Sequence, residues 1–299
     1  MIKRTITGAV IFLLTVGFVL LKTVHPLFFD AYALIITYGA LYEVIKTYKI
    51  AGKRVYIMPL ALIPALVCLI FNFEFNSLVK IGLLVLIVVL TLMFALTFDI
   101  TGYAESRNQN SNIDTESINS TLFDGTKFTM QTLAYPLVPL SFFIVLNHIG
   151  NIVSLALIVL AFSISMLTDT MAYFVGSTLG KRKFIPEVSP NKSIAGVVGG
   201  FIGGLLGACL TFIVFYFFNI NGFKDSFELW KLITMFALSG IFGSYLNQIG
   251  DLVASAFKRK VGIKDYSNIF PGHGGFMDRV DGLMFVLPFI FALAAILLV

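Results

Sequence analysis

The chain is dominated by long, uninterrupted apolar stretches, and this feature restricts its possible folds more than any other. Nine such stretches run over residues 6–21, 27–45, 56–71, 78–98, 128–146, 152–174, 194–218, 231–250 and 283–299. They are continuous rather than alternating, and about 20 apolar residues let a helix cross a bilayer. Only 12% of the residues are charged while 58% are hydrophobic, whereas a soluble domain covers its surface with about 25% charged residues. We therefore predict an all-α, polytopic membrane protein with about nine transmembrane helices, and we exclude a disordered chain or a soluble globule.

The basic residues predict the orientation of these helices. If the N-terminus is cytoplasmic, 17 of the 21 Lys and Arg residues fall in cytoplasmic segments, as the positive-inside rule requires. We therefore expect the N-terminus in the cytoplasm, the C-terminus outside, and the protein in the cell inner (plasma) membrane. The formal net charge of +5 follows from this bias and does not indicate nucleic-acid binding.

The polar segments between the spans predict how the chain is organised. We divide it into N-terminal transmembrane helices, residues 1–150, and a catalytic transmembrane region, residues 151–299. Residues 99–127 are rich in Asn, Ser, Thr and acids, which predicts a flexible cytoplasmic loop without a chemical role. Residues 175–193 and 251–282 combine Gly, Lys, Ser, Asp and His. We expect these two segments to hold a polar site that faces the cytoplasm.

The last polar segment carries a set of carboxylates beside basic residues. Asp278 and Asp281 are three residues apart, so a helical start would place both on one face, and Asp251 ends the eighth span. Mg²⁺ prefers one or two carboxylates together with substrate phosphate oxygens, so this pattern favours a metal and phosphate site. Glycines flank His273 and would let backbone N–H groups approach an anion closely. The alternative is a solvated pair of aspartates that form surface ion pairs with Arg279.

The other polar segment places an acid within a span and a Ser/Lys cluster before the next one. Asp169 lies late in the sixth span, where a carboxylate is costly and therefore suggests function; the alternative is a structural hydrogen bond to a neighbouring helix. Ser189, Lys192 and Ser193 lead into the seventh span. A helix N-terminus with hydroxyls and an ammonium suits an anion, although capping alone would also explain the serines. Glycines at spacing four in that span predict close helix packing, within the chain or across a dimer.

The closing stretch from Ser255 to Asp281 resembles the signature of the phosphatidate cytidylyltransferase (CDP-diacylglycerol synthase) family. It has Ser-x-Phe-Lys-Arg, four residues, Lys-Asp, and then Pro-x-His-Gly-Gly-x-x-Asp-Arg-x-Asp. The stretches Asp169-Thr-x-Ala-Tyr-x-x-Gly and Ser189-Pro-x-Lys-Ser-x-x-Gly are also similar to segments of that family. The resemblance covers residues 165–285, whereas the first 160 residues match it mainly in hydropathy.

The resemblance implies a specific reaction and site. Such enzymes join CTP and phosphatidate, in the bilayer, into CDP-diacylglycerol and pyrophosphate. The resemblance further implies a nine-span homodimer that uses Mg²⁺, with room for a second, monovalent cation, and it puts the metal carboxylates on Asp251 and Asp278. We expect the catalytic residues to be Asp251, Asp278, Asp281, Lys258, Arg259, His273 and Arg279, and the substrate-binding residues to be Asp169, Ser189, Lys192, Ser193 and Lys264.

The chemistry of this reaction suits these residue types. A lipid phosphomonoester has a second pKa near 6 and is largely a dianion at about pH 7, so it needs no general base, and positioning and charge neutralisation do most of the work. His273 is then a phosphate ligand or a loop organiser. Two alternatives stay open: a CTP-dependent polyprenol or phytol kinase, which would need a base, and a transporter, which tends to show repeated halves that this sequence lacks.

Overall fold

The computed structural model describes residues 2–109 and 123–298, and these are almost entirely helical. The helices are α1 (Ile2–Leu21), α2 (Pro26–Ile50), α3 (Ile57–Asn72), α4 (Ser77–Gln109), α5 (Asp124–Thr132), α6 (Val138–Asn147), α7 (Asn151–Leu179), α8 (Ile194–Phe217), α9 (Phe223–Ser226), α10 (Leu229–Val261), α11 (Met277–Val280) and α12 (Leu283–Leu297). A π-helical segment (Leu133–Leu137) joins α5 to α6, and a 3₁₀ turn (Ile220–Gly222) precedes α9. Strands β1 (Lys183–Ile185) and β2 (Ser189–Ser193) form an antiparallel hairpin between α7 and α8.

The predicted helical membrane architecture is confirmed in its broad form. Within the described residues, six helices are long and apolar enough to cross a membrane, and shorter apolar helices cover residues 6–21, 57–72 and 283–297. The prediction of a loop over residues 99–127 is wrong at both ends, because α4 continues to Gln109 and α5 begins at Asp124. The middle of that prediction, residues 110–122, lies outside the described residues.

The chain forms two compact units. One consists of residues 1–33 and 142–299, and the other of residues 34–141. This division differs from the one at residue 150, which stays a prediction. All of the candidate site residues belong to the first unit.

In the first unit, the glycines of α8 allow two helices to pack against it. A Cβ atom at Gly199 would lie 2.6 Å from the Cβ of Val175 on α7, and one at Gly200 would lie 2.7 Å from Nε2 of Gln248 on α10. Only glycine fits the close approach at Gly199, whereas the end of the Gln248 side chain could move to admit a Cβ atom at Gly200. The glycine pattern therefore serves packing within the chain, and it brings the C-terminal part of α7 and the polar part of α10 close to α8, which follows β2.

A second polar cluster in this unit joins the α1–α2 turn to the α6–α7 turn. Lys22 Nζ donates to the carbonyl of Asn147 at 3.3 Å, and Asn147 Nδ2 donates to Asp30 Oδ1 at 2.8 Å. His148 Nε2 lies 3.0 Å from Asp30 Oδ2. Burial lowers the pKa of Lys22 to about 8, although the nearby Asp30 carboxylate acts in the opposite direction.

In the second unit, a carboxylate at the end of an apolar helix anchors α5. Asp99 accepts hydrogen bonds from the Tyr56 hydroxyl at 2.6 Å and from the backbone N–H of Thr126 at 2.7 Å. The Thr126 N–H lies in the first turn of α5, where helical N–H groups lack partners within the helix. Asp99 therefore has a structural role.

Candidate functional site

The centre of the candidate site lies where α7 and α10 meet. Asn247 on α10 donates from Nδ2 to Asp169 Oδ1 at 2.8 Å and accepts a hydrogen bond from Ser165 on α7 at 2.6 Å. Asp169 thus makes the hydrogen bond to a neighbouring helix that the structural interpretation predicts. The residue as a whole is exposed, and its carboxylate joins α7 to α10.

One helical turn beyond Asn247, Asp251 is joined to the β-hairpin. Lys192 Nζ lies 2.6 Å from Asp251 Oδ2 and donates to the carbonyl of Gln248 at 3.3 Å. The Lys192 and Asp251 side chains remain 24% and 35% exposed, so the pair is open to solvent. The hairpin places the Lys192 ammonium here, and it joins the two polar segments into one site.

Residues 189–193 lead into the helix of the seventh predicted span, as expected, and they do so as strand β2, with α8 beginning at Ile194. Ser193 is the N-cap, and its Oγ accepts a hydrogen bond from the Gly196 N–H at 3.1 Å. This is the capping role that an N-terminal serine often has. Ser189 lies opposite Ile185 in the hairpin.

Asp281 lies near the same carboxylates. Burial, followed by repulsion from the Asp251 carboxylate, raises the pKa of Asp281 well above its usual range, and Lys258 opposes the increase. Asp169 on α7 adds to the increase. Three carboxyl groups, those of Asp169, Asp251 and Asp281, therefore influence one another electrostatically.

Asp278 has different surroundings. Its Oδ1 accepts from Lys258 Nζ at 2.7 Å, and its Oδ2 accepts from the backbone N–H groups of Tyr266 at 3.0 Å and Gly275 at 2.9 Å. The Lys258 and Asp278 side chains are only 10% and 5% exposed. Gly274 has φ +78°, and a Cβ there would lie 2.6 Å from Asp278 Oδ2. The glycine run does approach an anion closely, as predicted, but the anion is the carboxylate of Asp278 itself.

His273 follows the first glycine of this run and packs against α1. A Cβ atom at Gly8 would lie 3.2 Å from His273 Nε2. The His273 backbone N–H donates to the carbonyl of Phe270 at 2.8 Å. Its Nδ1 is buried and has no hydrogen-bond partner within the described part of the chain. The ring is thus fixed by α1 on one side while one ring nitrogen keeps its hydrogen-bonding capacity.

The other predicted basic residues lie at the surface of this region. Arg259 donates to the carbonyl of Ile263 at 3.3 Å, at the C-terminal end of α10. Lys264 and Arg279 are exposed. These positions leave the three cations accessible to an anionic ligand.

The carboxylates of the candidate site only partly fit the needs of a divalent metal ion. Within residues 2–109 and 123–298, no three His, Cys, Asp or Glu side chains converge on a metal position, so the expected three-carboxylate metal cluster is not formed. The partly exposed Asp251 offers carboxylate oxygens of the kind that Mg²⁺ prefers, and substrate oxygens commonly complete such a site. The oxygens of Asp278 already accept three hydrogen bonds. A metal ion at Asp278 would therefore have to share the carboxylate with Lys258 and these two N–H groups.

Comparison with known proteins agrees with this arrangement of motifs. The model of the cytidylyltransferase family matches residues 2–297. The chain belongs to the cytidylyltransferase family. The resemblance that rests on the closing motif is therefore confirmed.

Relatives of the chain carry more specific names. A protein of Staphylococcus haemolyticus named phosphatidate cytidylyltransferase is 39% identical over 166 residues, which are 56% of this chain and 58% of that protein. A Bacillus subtilis protein of the same name is 43% identical over 129 residues, or 43% of this chain and 44% of that protein. The matched stretch thus spans less than two thirds of these relatives.

Sequence reasoning did not identify two residues of the site. Asn247, which orients Asp169, lies four positions before Asp251 and so on the same face of α10, a signal that could have revealed it. Tyr266 contributes its backbone N–H to Asp278, and Lys258 Nζ lies 5.4 Å from the centre of its ring. A contact made by a backbone N–H group does not depend on the residue type, so it cannot be predicted from the sequence pattern.

Proposed function

We propose that this protein is a phosphatidate cytidylyltransferase that transfers CMP from CTP to phosphatidate. The observation that carries the proposal is the accessible Lys192–Asp251 pair, close to Asp169, at the polar end of a long apolar helix. A lipid phosphate and a water-soluble nucleotide could meet at such a position. The matched family and the names of the relatives support the same reaction.

In this reaction an oxygen of the phosphatidate phosphate attacks the α-phosphorus of CTP. The bond between the α- and β-phosphates breaks, and pyrophosphate leaves with the electron pair. The attacking phosphate is already largely a dianion at about pH 7, so the protein has to bring two anions together and neutralise them. Lys192, Arg259, Lys264 and Arg279 supply exposed or half-exposed positive charge for this purpose.

Bound Mg²⁺ would neutralise part of the negative charge of the phosphates. Asp251, together with phosphate oxygens, would hold it, and Asp278 stays the second predicted ligand. His273 and the Lys258–Asp278 pair maintain the loop beside Asp251.

We further propose nine spans with the N-terminus in the cytoplasm, the C-terminus outside, and the site at the cytoplasmic face of the inner (plasma) membrane, in a homodimer. The distribution of basic residues supports this orientation. Reporter fusions within residues 110–122 and after Val299 test it, because the first should report a cytoplasmic position and the second an external one. A cytoplasmic C-terminus would contradict the nine-span topology.

The reaction itself is tested with purified protein, phosphatidate, Mg²⁺ and CTP labelled at either the α- or the γ-phosphate. The α-label should enter the extracted lipid and the γ-label should leave as pyrophosphate. A lipid kinase would give the reverse distribution when supplied with a polyprenol. Asp251→Asn, as the control, should abolish the transfer.

A further inference from the structure

The Lys192–Asp251 pair places a cation where a metal ion would have to bind. The two charged atoms are 2.6 Å apart, and Lys192 Nζ has the carbonyl of Gln248 as its other partner. The carboxyl groups of Asp169 and Asp281 lie near that of Asp251. The ammonium therefore offsets negative charge among these three acidic side chains.

A divalent ion and this ammonium compete for the charge of one carboxylate. The ammonium lies against Asp251 Oδ2, while Oδ1 accepts a hydrogen bond from the Ser255 hydroxyl at 3.4 Å. Mg²⁺ binds oxygen at about 2.0–2.1 Å, so an ion on either oxygen would lie close to the ammonium and repel it. Binding of a metal ion to Asp251 therefore favours departure of Lys192.

The position of Lys192 makes such a displacement feasible. Its backbone is fixed in β2, but its side chain is 24% exposed, and lysine carries a compact charge on a flexible stem. By contrast, the Lys258 side chain is 10% exposed and pairs with a carboxylate that two backbone N–H groups also hold. Of these two ion pairs, only the one with Lys192 is free to exchange its cation.

We propose that Lys192 competes with the divalent metal ion for Asp251, and that metal binding releases the Lys192 ammonium to bind a substrate phosphate. This inference rests on the proposed function only in assuming a metal ion and a phosphate at this site. Its consequence is positive coupling, because metal binding creates the cation that phosphate binding uses, and such coupling is reciprocal.

The test measures binding of Mn²⁺ alone to the purified, substrate-free protein, from the electron paramagnetic resonance signal of free Mn²⁺. Lys192→Met should tighten Mn²⁺ binding by about three- to fivefold, since a partly exposed ion pair contributes about 1 kcal/mol or less. Lys183→Met is the matched control, since it removes the same charge from the same hairpin at an exposed position, and it should leave the affinity nearly unchanged. Lys192→Arg, which keeps a cation beside Asp251, should not tighten binding.

The second half of the test uses inorganic pyrophosphate at saturating Mn²⁺. Lys192→Met should weaken pyrophosphate binding by about tenfold, as expected for loss of a charged hydrogen-bond donor. Opposite effects on the two ligands cannot come from misfolding, which would weaken both. Unchanged or weaker Mn²⁺ binding in Lys192→Met, or equal tightening in Lys183→Met, would overturn the proposal. The labelled-CTP assay on the unmodified protein decides the reaction separately.

Discussion

Replacement of Asp278 by Asn should loosen the loop between α10 and α11. The carboxylate accepts from Lys258 at 2.7 Å and from the N–H groups of Tyr266 and Gly275 at 3.0 and 2.9 Å. An asparagine has one acceptor oxygen, so it cannot serve both the ammonium and the two N–H groups. Loss of one partner of a buried ion pair costs about 3–5 kcal/mol. Because 1.4 kcal/mol is about a factor of ten, protection of this loop against local opening should fall at least a hundredfold.

Amide hydrogen exchange of a peptide that covers residues 262–277 measures this opening. Exchange at Tyr266 and Gly275 should accelerate in Asp278→Asn. Asp251→Asn is the comparison, because its ion pair is partly exposed and should contribute about 1 kcal/mol or less; exchange in residues 262–277 should then stay as in the unmodified protein. Unchanged protection in Asp278→Asn would refute the structural role of Asp278.

Three further predictions concern packing and ionisation. Gly199→Ala should lower the unfolding temperature in detergent, since overpacking costs about 1–3 kcal/mol, whereas Gly17→Ala, with nothing within 4 Å of the added Cβ, should not. The pKa of Lys22 is about 8 in the folded protein against 10.5 ordinarily, so the unfolded state binds more protons between these values and stability should rise with pH there. Lys22→Met should reduce that rise in thermal unfolding measured at about pH 7.5 and 9.5. Gly8→Leu should lower turnover by displacing His273, while Gly17→Leu should leave turnover unchanged; equal loss in both would contradict a positioning role for Gly8.

The helices could be predicted from the sequence because their signal is local. Apolar runs fix where helices form, and the glycine spacing of α8 indicates close packing whatever its partners are. The ends of the helices are harder to predict where a helix continues beyond its apolar part. Helix α4 extends to Gln109 and α10 to Val261, since polar residues can propagate a helix that an apolar segment has already begun.

The site was predicted as a set of residues but not as a set of contacts. Residue types and spacing identified Asp251, Asp278 and Lys192, yet they could not show that Lys192 reaches Asp251 across 59 positions of sequence. The sequence also could not show which anion the glycine-rich loop contacts. A carboxylate three residues from Gly275 is available as its acceptor, and only the folded loop decides between that internal anion and an external one.

In the proposed topology, the length of α10 sets the depth of the candidate site in the bilayer. Its 33 residues extend about 50 Å at 1.5 Å per residue, well beyond the roughly 30 Å of hydrocarbon in a bilayer. Asp251 lies 22 residues after Leu229, about 33 Å along the axis, which is the thickness of the hydrocarbon layer. In the proposed topology, the apolar part of this helix therefore ends at the level of the lipid headgroups. A lipid phosphate bound there could react while the acyl chains of that lipid stay among those of the neighbouring lipids. Only the nucleotide would then have to diffuse to the site from solution.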